Sequence, residues 1–180
     1  ATIRIEAGTE YVDAGAIWTD IVDGNGTLTA QGEVKTLLPG LCILRYDYTD
    51  EAGNQSETLT RTVIVKDTTP PVISLNGAAE VTIEAGTNFE DAGANWADIV
   101  DANGTLLAQG EVKTLMPGLY VLRYDYTDAA GNQSETVTRT VIVKDTTPPV
   151  ISLNGASEIS IEAGTNFEDA GANWTDIVDG

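Results

Sequence analysis

The sequence predicts an all-β protein made of antiparallel β-sandwich repeats strung in a linear array, and three observations lead there. First, KDTTPPVISLNG at 66–77 returns unaltered at 144–155, and the same offset of 78 residues links Trp18 to Trp96 to Trp174. Repetition this close marks a duplicated unit that works in series. Second, apolar residues recur with the period of two that belongs to strands, as in GLYVLRYDYTD at 118–128. Third, short runs of this kind are separated by Gly, Asn and Pro punctuation, with no helical stripe between them.

The elements of the complete unit, residues 67–144, follow in order. VISL at 72–75 and VTIE at 81–84 read as short strands, closed by turn signals at Asn76-Gly77 and Ala85-Gly86. TLLAQGEVKT at 105–114 reads as a strand entered through an Asn103-Gly104 turn. Pro117-Gly118 opens the next strand, where alternation sets Tyr120, Leu122, Tyr124 and Tyr126 on one face and Leu119, Val121, Arg123 and Asp125 on the other. Ala130-Gly131-Asn132 marks a turn, and TVTRTVIVK at 136–144 closes the unit as its last strand. Strands this short, 8 to 15 residues apart by the positions above, suit a sandwich. On the same offset, residues 1–66 form a repeat lacking its first strand, and residues 145–180 are the N-terminal part of a third repeat. The expectation is a window on a longer tandem array.

Composition narrows the function. The chain is 42% hydrophobic, enough to bury a core, and carries a formal charge of −19 with no histidine. A surface so negative repels phosphate backbones and anionic lipid, so neither nucleic acid nor membrane insertion is expected, and cations are. No run approaches 18 apolar residues. The one cysteine, Cys42, is replaced by Tyr120 one repeat on, so a thiol is no part of a repeated mechanism; it reads as a small apolar side chain in a strand. Without histidine, without Ser or Cys beside a base and without a phosphate loop, no triad or zinc site can be assembled, and the chain is expected not to be an enzyme.

The stretch IEAGTNFEDAGANWADIVDANGT, followed by PGLYVLRYDYTDAAGNQSETVTRTVIVKDTTPPVI, resembles the bacterial immunoglobulin-like domains found in tandem in secreted and surface proteins, of the type also seen beside pesticidal crystal toxins. The most specific pieces are the DAGA turn at 91–94, the YTDAAGN turn at 126–132 and the DTTPP junction. The resemblance implies an immunoglobulin-like sandwich acting outside the cell as a spacer, stalk or adhesive module. The Trp at 18, 96 and 174 departs from the pattern, in which that position is often smaller.

The junction invites physical reading. Thr-Pro-Pro fixes φ and pushes the preceding residue into extended geometry, so the link is stiff, and the missing N–H donors discourage sideways pairing of the strand it begins. In an immunoglobulin-like topology, Asp67, Glu84, Glu90, Asp91, Asp98, Asp101 and Asp128 are expected near the leading end of the unit, away from its basic residues Lys113, Arg123, Arg139 and Lys144. Carboxylates without cationic partners repel one another, and a hard ion with oxygen ligands relieves that. The expected ion is Ca²⁺, with Asp67, Glu84, Asp98, Asp101, Asn103 and Asp128 as candidate ligands. Their repeat equivalents are Glu6, Asp20, Asp23, Asn25, Asp50, Asp145, Glu162, Asp176 and Asp179. The competing reading makes Asp91, Asp98, Asp101 and Asp128 turn residues whose side chains accept from nearby backbone N–H groups.

The expected function is mechanical and non-enzymatic: an extracellular rod, stalk or filament for surface display, adhesion or fibre formation. Its expected partners are neighbouring repeats or other copies of the chain, with a glycan or cell-surface ligand as a further candidate. A head-to-tail assembly, in which residues 145–156 of one chain complete the next, is the less economical arrangement. The alternative function is a carbohydrate-binding accessory module of a secreted enzyme or toxin, in which Trp96 and its neighbouring tyrosines stack on sugar. Lys113 and Lys144 are read as solvated rather than as partners in an isopeptide bond.

Overall fold

The computed structural model describes residues 2–179. Thirteen strands and no helix are found among them. The first repeat contributes β1 (Thr2–Glu6), β2 (Ala16–Asp20), β3 (Gly24–Leu28), β4 (Gly40–Tyr46) and β5 (Leu59–Lys66). The second contributes β6 (Val72–Leu75), β7 (Glu80–Glu84), β8 (Ala94–Asp98), β9 (Ala102–Leu106), β10 (Gly118–Tyr124) and β11 (Val137–Lys144). Beyond them lie β12 (Val150–Leu153) and β13 (Ala172–Thr175). The chain divides into two compact units: one holds the chain up to Ile73 with Asn95–Thr105 and Asp125–Glu135, the other Ser74–Ala94, Leu106–Tyr124 and the chain from Thr136 onward.

In the first unit β5 is the middle strand of a sheet, antiparallel to β4 and parallel to β1. The hairpin β2–β3 forms a second sheet. Leu44, Tyr46 and Val63 are buried on the inner face of the first sheet, and Ile5, Ala16 and Leu28 from both sheets pack against them. Two sheets closing on one apolar layer make a β-sandwich. Cys42 is a free thiol that packs beside this cluster, in keeping with its reading as a small apolar residue.

In the second unit β11 repeats the arrangement, antiparallel to β10 and parallel to β7. The alternation read in residues 118–128 holds through β10: Leu122 and Tyr124 are buried, whereas Leu119 is 66% exposed. Val141 and Val143 of β11, which pair with Tyr120 and Gly118, are buried at alternate positions, as the TVTRTVIVK pattern requires. The strands β6, β8 and β9 form a three-stranded sheet in the order β6-β8-β9, whereas the corresponding sheet in residues 1–66 has only β2 and β3. The strands β12 and β13 pair antiparallel.

Two expectations are corrected. The run 105–114 is not one strand: β9 ends at Leu106, and only Gln109 beyond it bridges, to Arg123. Asn103-Gly104 is not a turn but lies inside β9; the chain reverses at 99–101 and re-enters the strand through Ala102 at φ 71°. A three-residue loop closed by a left-handed residue is a standard hairpin connection. The first repeat has Gly24 at that position, with φ 89°.

Candidate functional site

The register of β1 and β7 decides where the acidic residues go. Because β1 runs parallel to the last strand of its own repeat, Glu6 pairs with Lys66; for the same reason Glu84 pairs with Lys144. Both glutamates therefore sit at the trailing end of a repeat, where the next DTTPP begins, and not at the leading end expected for Glu84. Glu6 accepts from the Thr68 backbone N–H (2.7 Å), the Thr68 hydroxyl (2.7 Å) and the Thr69 hydroxyl (2.9 Å). Glu84 repeats all three contacts with Thr146 and Thr147. Hydrogen bonds to Thr68, led by its backbone N–H, hold the Glu6 carboxyl below the usual glutamate range, and Thr146 does the same for Glu84.

A second contact crosses each junction. Gly8, in the turn after β1, has φ +76°, and a Cβ there would meet Ile99 Cδ1 at 2.4 Å; Gly86 stands in the same relation to Ile177. Glycine is needed here twice over, for the left-handed backbone and for the close approach of the next repeat's isoleucine.

On the other side of the linker lies the acidic group. Asp67, Asp98 and Asp128 each bring a carboxylate oxygen within 4.8 Å of the other two. Asp67 opens the linker, Asp98 ends β8, and Asp128 sits in the turn after β10. Each carboxylate is held by a local backbone bond. Asp67 Oδ1 accepts from Thr69 N (3.2 Å), Asp98 Oδ1 from Val100 N (2.7 Å) and Asp101 N (3.0 Å), and Asp128 Oδ1 from Asn132 N (2.7 Å). The turn-cap reading of Asp98 and Asp128 is thus correct as far as their Oδ1 atoms go. Asp128 Oδ2 takes the Asn132 side-chain amide, and that amide also reaches the Asp67 carbonyl at 3.4 Å.

The remaining oxygens are different. Asp67 Oδ2 and Asp98 Oδ2 are buried and accept no hydrogen bond from any described residue. Burial raises the Asp67 pKa, Thr69 N–H opposes it, and the charges of Asp98, Asp128 and Glu6 add to the rise. Burial also disfavours the charged form of Asp128, but the Asn132 side chain and backbone outweigh it and lower its pKa. Asp145, Asp176 and Asp179 form a second such group, again within 4.8 Å, with Asp145 and Asp176 holding the same Oδ1 bonds as Asp67 and Asp98.

Other candidates go elsewhere. Asp101 Oδ2 accepts from Ala129 N (2.7 Å), tying the β8–β9 loop to the turn at Asp128; Asp23 does the same to Glu51 N (2.9 Å). Asn103, like Asn25, lies within its strand and is exposed. Asp20 and Asp50 keep the local backbone bonds of Asp98 and Asp128. Glu162 is exposed, its carbonyl accepting from Thr165. Asp91 is not part of the acidic group, and Arg139 is not remote from all the acids. The two form an ion pair, with Arg139 2% exposed. Arg139 also donates to the Ala78 carbonyl (2.9 Å) and the Asn76 carbonyl (2.5 Å), while the Tyr124 hydroxyl donates to Asp91 Oδ1 (2.8 Å). This network has a counterpart in Arg61, Asp13 and Tyr46, and sequence reasoning missed both. The signal was available: each Arg stands at an inward position of a strand whose neighbours are valines.

Trp96 stacks on Tyr126 with ring centroids 4.0 Å apart and planes 16° off parallel, and Trp18 stacks on Tyr48 in the same way. A Cβ on Gly104 would lie 2.5 Å from Trp96 Nε1, so the glycine inside β9 is there to admit the indole. One face of the ring is already covered by tyrosine, which serves packing rather than a sugar platform.

Comparison with known proteins now bears on this geometry. The family model described as "Bacterial surface protein, Ig-like domain" matches residues 1–65 and 73–143. The chain belongs to that family. It is an extracellular or cell-surface protein, and its sandwich repeats are immunoglobulin-like surface modules. Two curated relatives are hyalins of sea urchins. That of Lytechinus variegatus is 29% identical over 177 residues, covering 91% of this chain and 33% of the relative. That of Strongylocentrotus purpuratus is 29% identical over 137 residues, covering 70% of this chain and 11% of the relative. The chain thus spans a third or less of the relatives it matches. A solved lipoprotein of Bacteroides thetaiotaomicron aligns with a TM-score of 0.37 at 26% identity, over 43% of this chain and 39% of that one.

Proposed function

We propose that the protein is a non-enzymatic mechanical spacer of the cell surface: a rod, stalk or filament of immunoglobulin-like repeats that holds something at a distance or builds a fibre. The observation that carries this reading is the junction. Thr68 and Thr69, one residue after the linker begins, are gripped by Glu6 of the preceding repeat, and Thr146 and Thr147 are gripped identically by Glu84.

A linker meant to swing would be left free and rich in Gly and Ser. This one is Thr-Thr-Pro-Pro, with φ fixed at both prolines and three acceptor contacts on the threonines before them. The Ile99 side chain against Gly8 adds an apolar stop on the other side of the same junction. The same residues make the same local contacts at both linkers, and recurrence of one junction along a chain is what a solenoid or rod uses to propagate direction. The stacked Trp–Tyr pairs support this reading over a carbohydrate-binding accessory module, because tyrosine covers one face of each indole and the glycine of the following strand lies close against the same ring.

Small-angle scattering on arrays of two, four and eight repeats tests the reading. A spacer gives a maximum dimension that grows in proportion to repeat number. Growth close to the square root of repeat number, as for freely jointed beads, removes it.

A further inference from the structure

We infer that Asp67, Asp98 and Asp128 form a divalent-cation site of the size and oxygen chemistry that calcium takes. Two independent observations carry this. The three carboxylates converge, with one oxygen from each inside a 4.8 Å limit. Within that cluster, Asp67 Oδ2 and Asp98 Oδ2 are buried without a hydrogen-bond donor among the described residues, on an Asp67 side chain that belongs to a residue only 8% exposed.

Both features are costly as they stand. A buried carboxylate oxygen without a donor loses its hydration and gains nothing in return. Neighbouring carboxylates repel each other more strongly as water is excluded. No basic side chain offsets this: the ion pairs among the described residues are Arg61–Asp13 and Arg139–Asp91. A hard cation resolves both costs at once, since it coordinates the dry oxygens and neutralises the cluster. Calcium binds oxygen at about 2.3–2.6 Å, so ligands on opposite sides of its shell stand roughly 4.6–5.2 Å apart, which accommodates the observed cluster. It also takes 6–8 oxygens in irregular geometry, leaving room for water and second carboxylate oxygens.

The backbone around the site is already set. Thr69 N–H, Val100 N–H, Asp101 N–H and Asn132 N–H hold the Oδ1 atoms. Asp101 pins the β8–β9 loop to the turn carrying Asp128. The ion then joins three segments: the linker, the β8–β9 loop and the turn after β10. It fixes the linker to the repeat that follows, as Glu6 fixes it to the repeat before. This mechanical consequence rests on the spacer reading; the site itself does not. Asp145 and Asp176, with Asp179 alongside, set out the same ligands at the following junction.

The test is titration of calcium chloride into the chelator-treated 180-residue chain, followed by calorimetry and by thermal unfolding. Tryptophan-sensitised terbium emission gives a second readout, because Trp96 lies two residues before Asp98 on the same face of β8. In a background carrying Asp145→Asn and Asp176→Asn, which removes the second group, the expected result is saturable binding that displaces terbium and weakens at least tenfold in both Asp67→Asn and Asp98→Asn. Calcium raises the melting temperature of the native chain by several degrees and that of Asp67→Asn by much less. In chelator the order reverses or closes, with Asp67→Asn melting at or above the native chain, because one clustered charge is gone. That crossover separates a lost site from a misfolded variant. No saturable binding up to about 10 mM calcium, or binding unaltered by either substitution, overturns the site. Binding intact while scattering dimensions stay the same with and without calcium leaves the site standing and overturns its stiffening role.

Discussion

Glu84 takes two hydrogen bonds from a single residue of the next linker: the Thr146 backbone N–H at 2.7 Å on one carboxylate oxygen and the Thr146 hydroxyl at 2.8 Å on the other. A carboxylate that accepts from both ends of a threonine fixes the position and the orientation of the chain at once. Both bonds favour the ionised form, led by the backbone one, so the Glu84 pKa lies below the usual 4.5. A depressed carboxylate pKa contributes stability that is present above the unfolded value and lost as pH falls through the folded one. The clamp is therefore complete above about pH 4.5 and opens in stronger acid. Carboxyl NMR titration is expected to give both Glu6 and Glu84 depressed values, with Glu84 returning toward 4.5 in Thr146→Val. An unshifted Glu84 in the native chain contradicts the clamp.

The Arg139 network predicts an asymmetry between repeats. Arg139 has a side chain 2% exposed and Arg61 one 21% exposed, although both pair with the equivalent aspartate. Truncating one partner of a buried pair leaves the other charged and dry, at a cost of about 3–5 kcal/mol. Arg139→Ala is expected to fall in that range and Arg61→Ala clearly below it: the aspartates left behind are equally exposed, 18% and 17%, but only the fully buried Arg139 leaves a closed cavity and strips the Ala78 and Asn76 carbonyls of their donor. Urea unfolding of the two variants reads the difference directly.

Alkaline stability follows from the same network. Burial, then the hydrogen bond to Asp91, pushes the Tyr124 pKa up to about 12, and Tyr46 is raised to about 12 in the same way beside Asp13. A pKa raised on folding gives stability that is full below the unfolded value, about 10, and is lost as pH rises through the folded one. Unfolding is expected to become steeply easier between about pH 10 and 12. Tyr124→Phe, which has no proton to lose there, is expected to flatten that slope; an unchanged slope contradicts the assignment.

Gly104 has ordinary backbone geometry, so its requirement is one of space. Gly104→Ala places a methyl 2.5 Å from Trp96 Nε1, where the ring cannot yield without breaking its stack on Tyr126. Overpacking of this kind costs about 1–3 kcal/mol. The variant is expected to melt lower and to show altered tryptophan fluorescence. Gly131→Ala gives a contrast: its Cβ meets nothing within 4 Å, so only its positive φ is strained.

Much of this architecture is legible in the residues. Strand β10 reads directly from alternation, because one face of it meets the core and the other meets water. Asp67, Asp98 and Asp128 could be nominated from charge and topology, because an immunoglobulin-like strand order brings the linker, the loop after β8 and the turn after β10 to one end of the repeat. Glu84 was misplaced by an antiparallel expectation for its strand; β7 is parallel to β11, and a parallel pairing carries the strand's end to the opposite junction. Asn103-Gly104 imitates a turn because the same dipeptide that permits a left-handed backbone also permits an indole to lie against a strand. The Arg139–Asp91 pair was hidden by sequence distance, 48 residues, over which periodicity carries no information.

The central claim is that Glu6 and Ile99 fix the linker and the segments after it against the repeat before them, within the first compact unit. The most direct measurement is a pulsed-EPR distance distribution between spin labels at Glu33→Cys and Ala130→Cys, both exposed and both in that unit, in a Cys42→Val background. A single narrow peak is predicted, broadening when Glu6→Ala and Ile99→Ala remove the two contacts that cross the junction. A broad distribution in the otherwise native chain, unchanged by those substitutions, would contradict the account.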